Sequence, residues 1–173
     1  MAGPRLISVV GKKNAGKTSL VVVLTKELSR RGHRVMTIKH GSHPFDIDQQ
    51  GRDTWRHMHE GGAERVVMET PSLRVMLATP KEPLGPRELA AQFLSDAELV
   101  VVEGFKSSDL PKIEVFRQAV HPTPLYDPAS PEAKNYLAIM TDARDFRAPI
   151  PTLRFTDTAW LYRLTDIVLQ GAR

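Results

Sequence analysis

The sequence predicts an α/β fold, a mostly parallel sheet with helices on both faces, and three features carry that prediction. Short apolar runs that read as buried strands alternate with longer segments of helical character. Residues 11–18, Gly11-Lys12-Lys13-Asn14-Ala15-Gly16-Lys17-Thr18, put a glycine-bearing turn between the first such run and the first helix. Leu99-Val100-Val101-Val102 is an unbroken aliphatic run ending on a carboxylate, Glu103, as a strand covered on both faces would. The length of 173 residues suits one domain spanning 1–173.

The elements follow in order. Leu6-Ile7-Ser8-Val9-Val10 reads as a buried strand, and Thr18 to Ser29 as the helix after the loop. That helix stops near Arg31-Gly32, with basic residues in its last turn and glycine as the stop signal. Arg34-Val35-Met36-Thr37-Ile38 reads as a second buried strand, followed by a polar loop over 39–51. Asp53 or Thr54 is expected to cap a short helix, Trp55 to Glu60, that ends at Gly61-Gly62. Residues 65–68 and 73–77 form a β-hairpin around Glu69-Thr70-Pro71-Ser72. Gly85-Pro86 opens a helix through Phe93-Leu94, before the 99–102 strand. Lys112-Ile113-Glu114-Val115-Phe116 alternates like a further strand. Residues 121–135 hold four prolines and read as a surface loop. Leu137-Ala138-Ile139-Met140 is the last expected strand, and Thr158 to Leu169 the closing helix.

Composition narrows the function classes. The chain is 41% hydrophobic and 25% charged, a balance that speaks against a fibrous or disordered protein. No run approaches the roughly 20 apolar residues of a membrane span. The N-terminus leads straight into a strand without a visible secretory signal, and a cytoplasmic location is expected. Having no cysteine, the chain has neither disulfides nor thiolate metal sites. The formal net charge is +4, but the positive residues gather at the 11–18 loop and the next strand without an aromatic-rich basic segment. An anionic small molecule explains them as well as nucleic acid does.

Residues 11–18 fit the phosphate-binding pattern G-x-x-x-x-G-K-[ST] in strand–loop–helix context, which makes the expected fold a P-loop NTPase type with an additional β-hairpin. Backbone N–H groups of Gly11 to Ser19 converge on one anion site. Lys17 adds a point charge at the β- and γ-phosphates, and Thr18 a hydroxyl for Mg²⁺. Glu103 lies at a strand's C-terminal end, where open parallel sheets bind ligands, and is the candidate metal carboxylate opposite Thr18. The 39–53 loop carries Lys39, His40, His43, Asp46, Asp48 and Asp53. Asp46 or Asp48 completes the Mg²⁺ shell in one reading, with Lys39 and His40 at the nucleotide. In another, His40 and His43 with an aspartate hold a transition metal; in a third the loop is polar surface. Lys106, Lys112 and Arg117 are candidates to line the anion site. Asp142, after the last expected strand, is where a guanine-reading carboxylate would sit, although no Asn-Lys-x-Asp motif is present.

The set of segments resembles one family, MobB, the adaptor of molybdopterin-guanine dinucleotide biosynthesis. The resemblance rests on the 11–18 loop, then Thr37-Ile38-Lys39-His40-x2-His43-x-Phe45-Asp46-Ile47-Asp48. It continues through Gly51-x-Asp53-Thr54, Gly61-Gly62-Ala63, Val102-Glu103-Gly104-Phe105-Lys106 and Pro111-Lys112-Ile113. Order and spacing agree over residues 5–117; Gly62 departs from the family's usual Ala-Gly-Ala, and the C-terminal third matches loosely. The resemblance implies a GTP-binding P-loop fold with Mg²⁺, a homodimer, and slow hydrolysis at most. It also implies a partner, the transferase MobA, which attaches GMP to molybdopterin, with molybdopterin as a possible further ligand. No residue is marked out to activate a water, and no arginine finger can be named. The rival readings are a metal-insertion GTPase, an ATP-dependent kinase resembling dethiobiotin synthetase, and a basic nucleic-acid binder.

Overall fold

The computed structural model describes residues 3–41 and 47–173. The chain divides into two compact units, Met1–His40 with Gly85–Arg173, and Gly41–Leu84. In the larger unit, strands β1 (Arg5–Val10), β2 (Val35–Lys39), β5 (Leu99–Glu103), β6 (Lys112–Phe116), β7 (Tyr136–Thr141) and β8 (Thr152–Arg154) form one sheet in the order β2-β5-β1-β6-β7-β8. Every pairing in it is parallel. The smaller unit holds helix α2 (Asp53–His59) and the antiparallel hairpin β3 (Arg65–Glu69) and β4 (Arg74–Ala78). The larger one also holds α1 (Lys17–Arg30), α3 (Pro86–Phe93) and α4 (Trp160–Gly171). The predicted parallel α/β architecture with its extra hairpin is present.

Strand periodicity divides the core. On one face, Ile7, Val9, Val101 and Met140 pack under Leu20, Leu24 and Leu28 of α1 and Leu164 and Val168 of α4. On the other, Leu6, Val100 and Val102 pack with Ala90 of α3. Val10, Phe116 and Ile139 meet Tyr126 and Tyr136 there. Residues 121–135 are largely a surface loop, as expected, with a short 3₁₀ turn at Pro131–Asn135.

Four local expectations need correction. The second strand, β2, is half-exposed rather than buried, because it lies at the sheet edge. The strand expected over 112–116 is present as β6, and it is buried throughout, lying between β1 and β7. Lys112 is therefore fully buried and does not line an anion site. Its Nζ donates to the Ser108 carbonyl at 2.5 Å and stands 5.6 Å from the Tyr136 ring centroid. Burial pulls that ammonium below lysine's usual range, against the Glu132 and Asp109 charges. Neither Asp53 nor Thr54 caps α2; both lie inside it, after Arg52. Thr54 Oγ1 donates instead to Asp48 Oδ1 at 2.8 Å. Finally, β7 is not the last strand: the three-residue β8 follows, too short to show a period.

Helix α1 is fastened to α4 by charge. Glu27 accepts from Arg30 Nε and from Arg31 Nε, each at 2.8 Å, and Arg31 also pairs with Asp166 of α4. The two guanidiniums hold the Glu27 carboxyl down at about 2, from an ordinary value of 4.5. A depressed folded-state value stabilises the fold above the unfolded value and loses that stabilisation as pH falls through the folded one. Wild type is thus expected to melt higher than Glu27→Gln at neutral pH. Thermal unfolding of both from pH 7 to pH 2 checks this, and the gap should close between about 4.5 and about 2.

Candidate functional site

The 11–18 loop lies at the C-terminal end of β1, the strand between β5 and β6. Steric fit explains its first glycine. A Cβ on Gly11 would stand 2.5 Å from the Val115 carbonyl oxygen, so only a bare α-carbon lets the loop pass β6. Asn14 (φ 63) and Gly16 (φ 98) take left-handed conformations that curl the chain back onto α1. Helix α1 then begins with no side-chain cap and no acidic residue in its first turn. Its first N–H groups are left to serve an external anion, and the helix dipole adds partial positive charge there.

Lys17 crosses this concavity. Its Nζ donates to the Lys12 carbonyl at 2.9 Å, which closes the loop on itself. Partial burial pulls its ammonium below lysine's usual range; Glu103 opposes that shift and the Lys39 charge adds to it. A phosphate at this point would restore the solvation that burial removes.

The sheet register delivers the carboxylate. Glu103 pairs with Val9 of β1 on one side and with Lys39 of β2 on the other. Its Oε1 accepts from Thr18 Oγ1 at 2.9 Å and from Lys39 Nζ at 2.6 Å. The residue is only 6% exposed, so the pairings also offset the desolvation of a charge. At Gly104 (φ 104) the backbone turns away, and a Cβ there would approach His40 Cβ to 3.1 Å. His40 donates its backbone N–H to the Glu103 carbonyl, and its ring lies 4.3 Å from that of Phe105. Lys106 is exposed on the same loop. Thr18 and Lys39 are thus brought onto the Glu103 carboxylate, with the His40 backbone on the Glu103 carbonyl.

The segment after β6 contributes contacts that sequence reasoning missed or only touched. Arg117 Nε lies 4.0 Å from where a Cβ on Gly16 would be, which sets the guanidinium beside the phosphate loop. That group stacks on Phe155 at 5.1 Å and stands 3.9 Å from Asp142 Oδ2. His121 Nε2 meets the Lys13 carbonyl at 2.7 Å, and Lys12 Nζ reaches Thr123 Oγ1 at 3.0 Å. Asp142, just past the end of β7, accepts the Gln118 N–H at 2.8 Å. A basic residue ending a strand is visible in sequence, but nothing there tells which way it turns. Asp48 lies in the smaller unit, where Thr54 holds it; His43 and Asp46 fall outside the described residues. Among the described residues, no group of three or more histidines or carboxylates is placed to hold a metal.

Comparison with known proteins gives a family and a fold. The family described as "Molybdopterin guanine dinucleotide synthesis protein B", MobB, matches residues 6–142. The chain is 38% identical over 114 residues to a Haemophilus influenzae protein named molybdopterin-guanine dinucleotide biosynthesis adapter protein. That alignment covers 65% of this chain and 64% of the relative, just under two thirds of its length. An Escherichia coli protein of the same name is 35% identical over 126 residues, covering 68% of this chain and 70% of that one. The fold matches the crystal structure of Bacillus subtilis MobB with a TM-score of 0.68 at 20% identity, over 98% of both chains. A MobB homolog from Bacillus stearothermophilus gives 0.65 at 22% identity, over 95% of this chain and 98% of the other. At these identities the structures speak for the fold, and the family match speaks for descent: the chain belongs to the MobB family.

Proposed function

We propose that this protein is a GTP-binding adaptor in molybdopterin-guanine dinucleotide biosynthesis, assisting MobA as it attaches GMP to molybdopterin. The observation that carries the nucleotide part is the meeting of Thr18 and Glu103 at the mouth of an uncapped, glycine-turned loop. Support for the pathway comes from the family match and from the adapter names of the relatives.

In this reading the N–H groups of residues 11–19 and the Lys17 ammonium hold the phosphates. Arg117 adds a second cation beside Gly16. The hydroxyl of Thr18 and the carboxylate of Glu103 are hard oxygen donors that suit Mg²⁺, and a bound Mg²⁺ would neutralise phosphate charge. Lys39 occupies part of the Glu103 charge, and a cation bound there would compete with it. Asp142 keeps free lone pairs beside Arg117 for the N–H edge of guanine. The homodimer belongs to the same proposal. Its support is the outer face of the hairpin, where the pair Val67 and Met76 is 61% and 44% exposed on a two-stranded sheet with open edges.

Three outcomes test this. Calorimetry with Mg²⁺ should show GTP bound in preference to ATP, and Lys17→Ala should abolish binding while leaving the fold intact by circular dichroism; equal affinity in the variant overturns the site. Glu103→Gln should lose most of the gain that Mg²⁺ confers on GTP binding, read as the ratio of affinities with Mg²⁺ and in EDTA, because that ratio separates the metal's carboxylate from the Thr18 and Lys39 pairings the change also weakens. Val67→Asp should shift the protein from dimer to monomer in light scattering, because a buried unpaired charge is costly.

A further inference from the structure

We propose that residues 117–126 form a brace on the phosphate loop, in which His121, anchored by Glu114, aims the Asn14 N–H at the phosphate position. Both act through the loop, as positioning residues, and their role rests on the nucleotide reading. The brace is pinned at each end. At its start, Val120 and His121 donate their N–H groups to the Arg117 carbonyl, and Gln118 donates to Asp142 Oδ1. At its far end, the Glu114 carboxylate accepts the Leu125 N–H on Oε1 and the Tyr126 N–H on Oε2, the latter at 2.8 Å. Pro122 and Pro124 flank Thr123, and their fixed φ stiffens the span between.

Glu114 is a carboxylate in the middle of β6 with 1% of its surface exposed. Burial pushes its carboxyl above the usual range, while the two N–H groups and the Lys12 charge act against that shift. The desolvation is offset only while residues 125 and 126 stay where they are, so the buried acid selects one path for the chain.

That path brings the brace onto the loop at two points. His121 Nε2 lies 2.7 Å from the Lys13 carbonyl oxygen, and Lys12 Nζ donates to Thr123 Oγ1 at 3.0 Å. The space between loop and brace, with Ala15, Phe116 and Thr123 among its walls, has no room for a water. A carbonyl oxygen only accepts, so His121 carries its proton on Nε2. A trans peptide is planar, with its C=O and N–H on opposite sides. Fixing the Lys13 carbonyl on His121 therefore turns the Asn14 N–H away from the brace. The preceding carbonyl, of Lys12, is taken by Lys17 Nζ, which marks the concave side. The two carbonyls divide between brace and concavity, and the Asn14 N–H falls to the side of Lys17. Asn14 itself is left-handed (φ 63), a conformation that a residue other than glycine keeps when its surroundings fix it.

The test is NMR on the full chain without nucleotide, followed by titration with GTP and Mg²⁺. His121→Leu keeps bulk and removes the donor. It should lower the Asn14 amide order parameter from about 0.85 toward about 0.6. It should also weaken GTP about fivefold, as loss of one hydrogen bond does. His121→Gln places an N–H donor at the reach of Nε2 and should restore both values, which packing alone would not do. Glu114→Gln leaves one backbone N–H without its acceptor. It should free the His121 ring, seen as loss of the single Nε2–H tautomer in ¹⁵N spectra, and weaken GTP likewise. His121 is half-exposed, so its variants serve if Glu114→Gln does not fold. An Asn14 amide that stays rigid in His121→Leu, GTP affinity equal to wild type in that variant, or a glutamine variant no better than leucine overturns the brace. Absence of GTP binding by the wild type overturns the nucleotide reading instead, and the Asn14 amide still reports whether the brace holds.

Discussion

The Glu103 carboxylate is the constraint on which the rest of the larger unit's site depends. It is a charge at the end of a fully buried strand, and such a group persists only when donors meet it. The donors come from two other elements, Thr18 on α1 and Lys39 on β2. Satisfying one buried charge therefore fixes α1 and two adjacent strands against each other. It also places a hydroxyl and a carboxylate at the mouth of the loop. The same arrangement makes the Glu103 charge tolerable at the end of β5 and presents the two oxygen donors on which the proposed Mg²⁺ site rests.

Charge placement around the loop follows a related logic. Lys17 is partly buried and held over the Lys12 carbonyl, so its charge is poorly solvated and seeks an anion. Arg117 stands beside Gly16 with Phe155 on one side and Asp142 on the other. His121 and Thr123 bind the outside of the loop through Lys13 and Lys12. Preset donors of this kind lower the ordering cost of binding a phosphate, because the loop does not have to be assembled around it.

What the sequence could reveal depended on whether the physics was local. The loop, α1 and β5 were legible because glycine sterics, helix periodicity and an unbroken aliphatic run act over a few neighbouring residues. The pairing of Thr18 with Glu103 was legible because parallel sheets bring strand ends together. Lys112 was not: its strand alternates in sequence, but β1 and β7 flank it and loops cover it, a matter of topology. Asp48 was not either, since its orientation is set by Thr54 six residues on, one of the two residues that the sequence offers as a helix cap. The turn of Arg117 toward Gly16 depends on Phe155, beyond β8, a strand too short to predict.

The central claim is that nucleotide held at the phosphate loop is what this protein contributes to its pathway. A reconstituted assay measures it most directly, with MobA, molybdopterin and GTP and either the wild-type protein or Lys17→Ala added. The account predicts that wild type raises the yield of molybdopterin-guanine dinucleotide and that the variant does not. Equal stimulation by the two would contradict it.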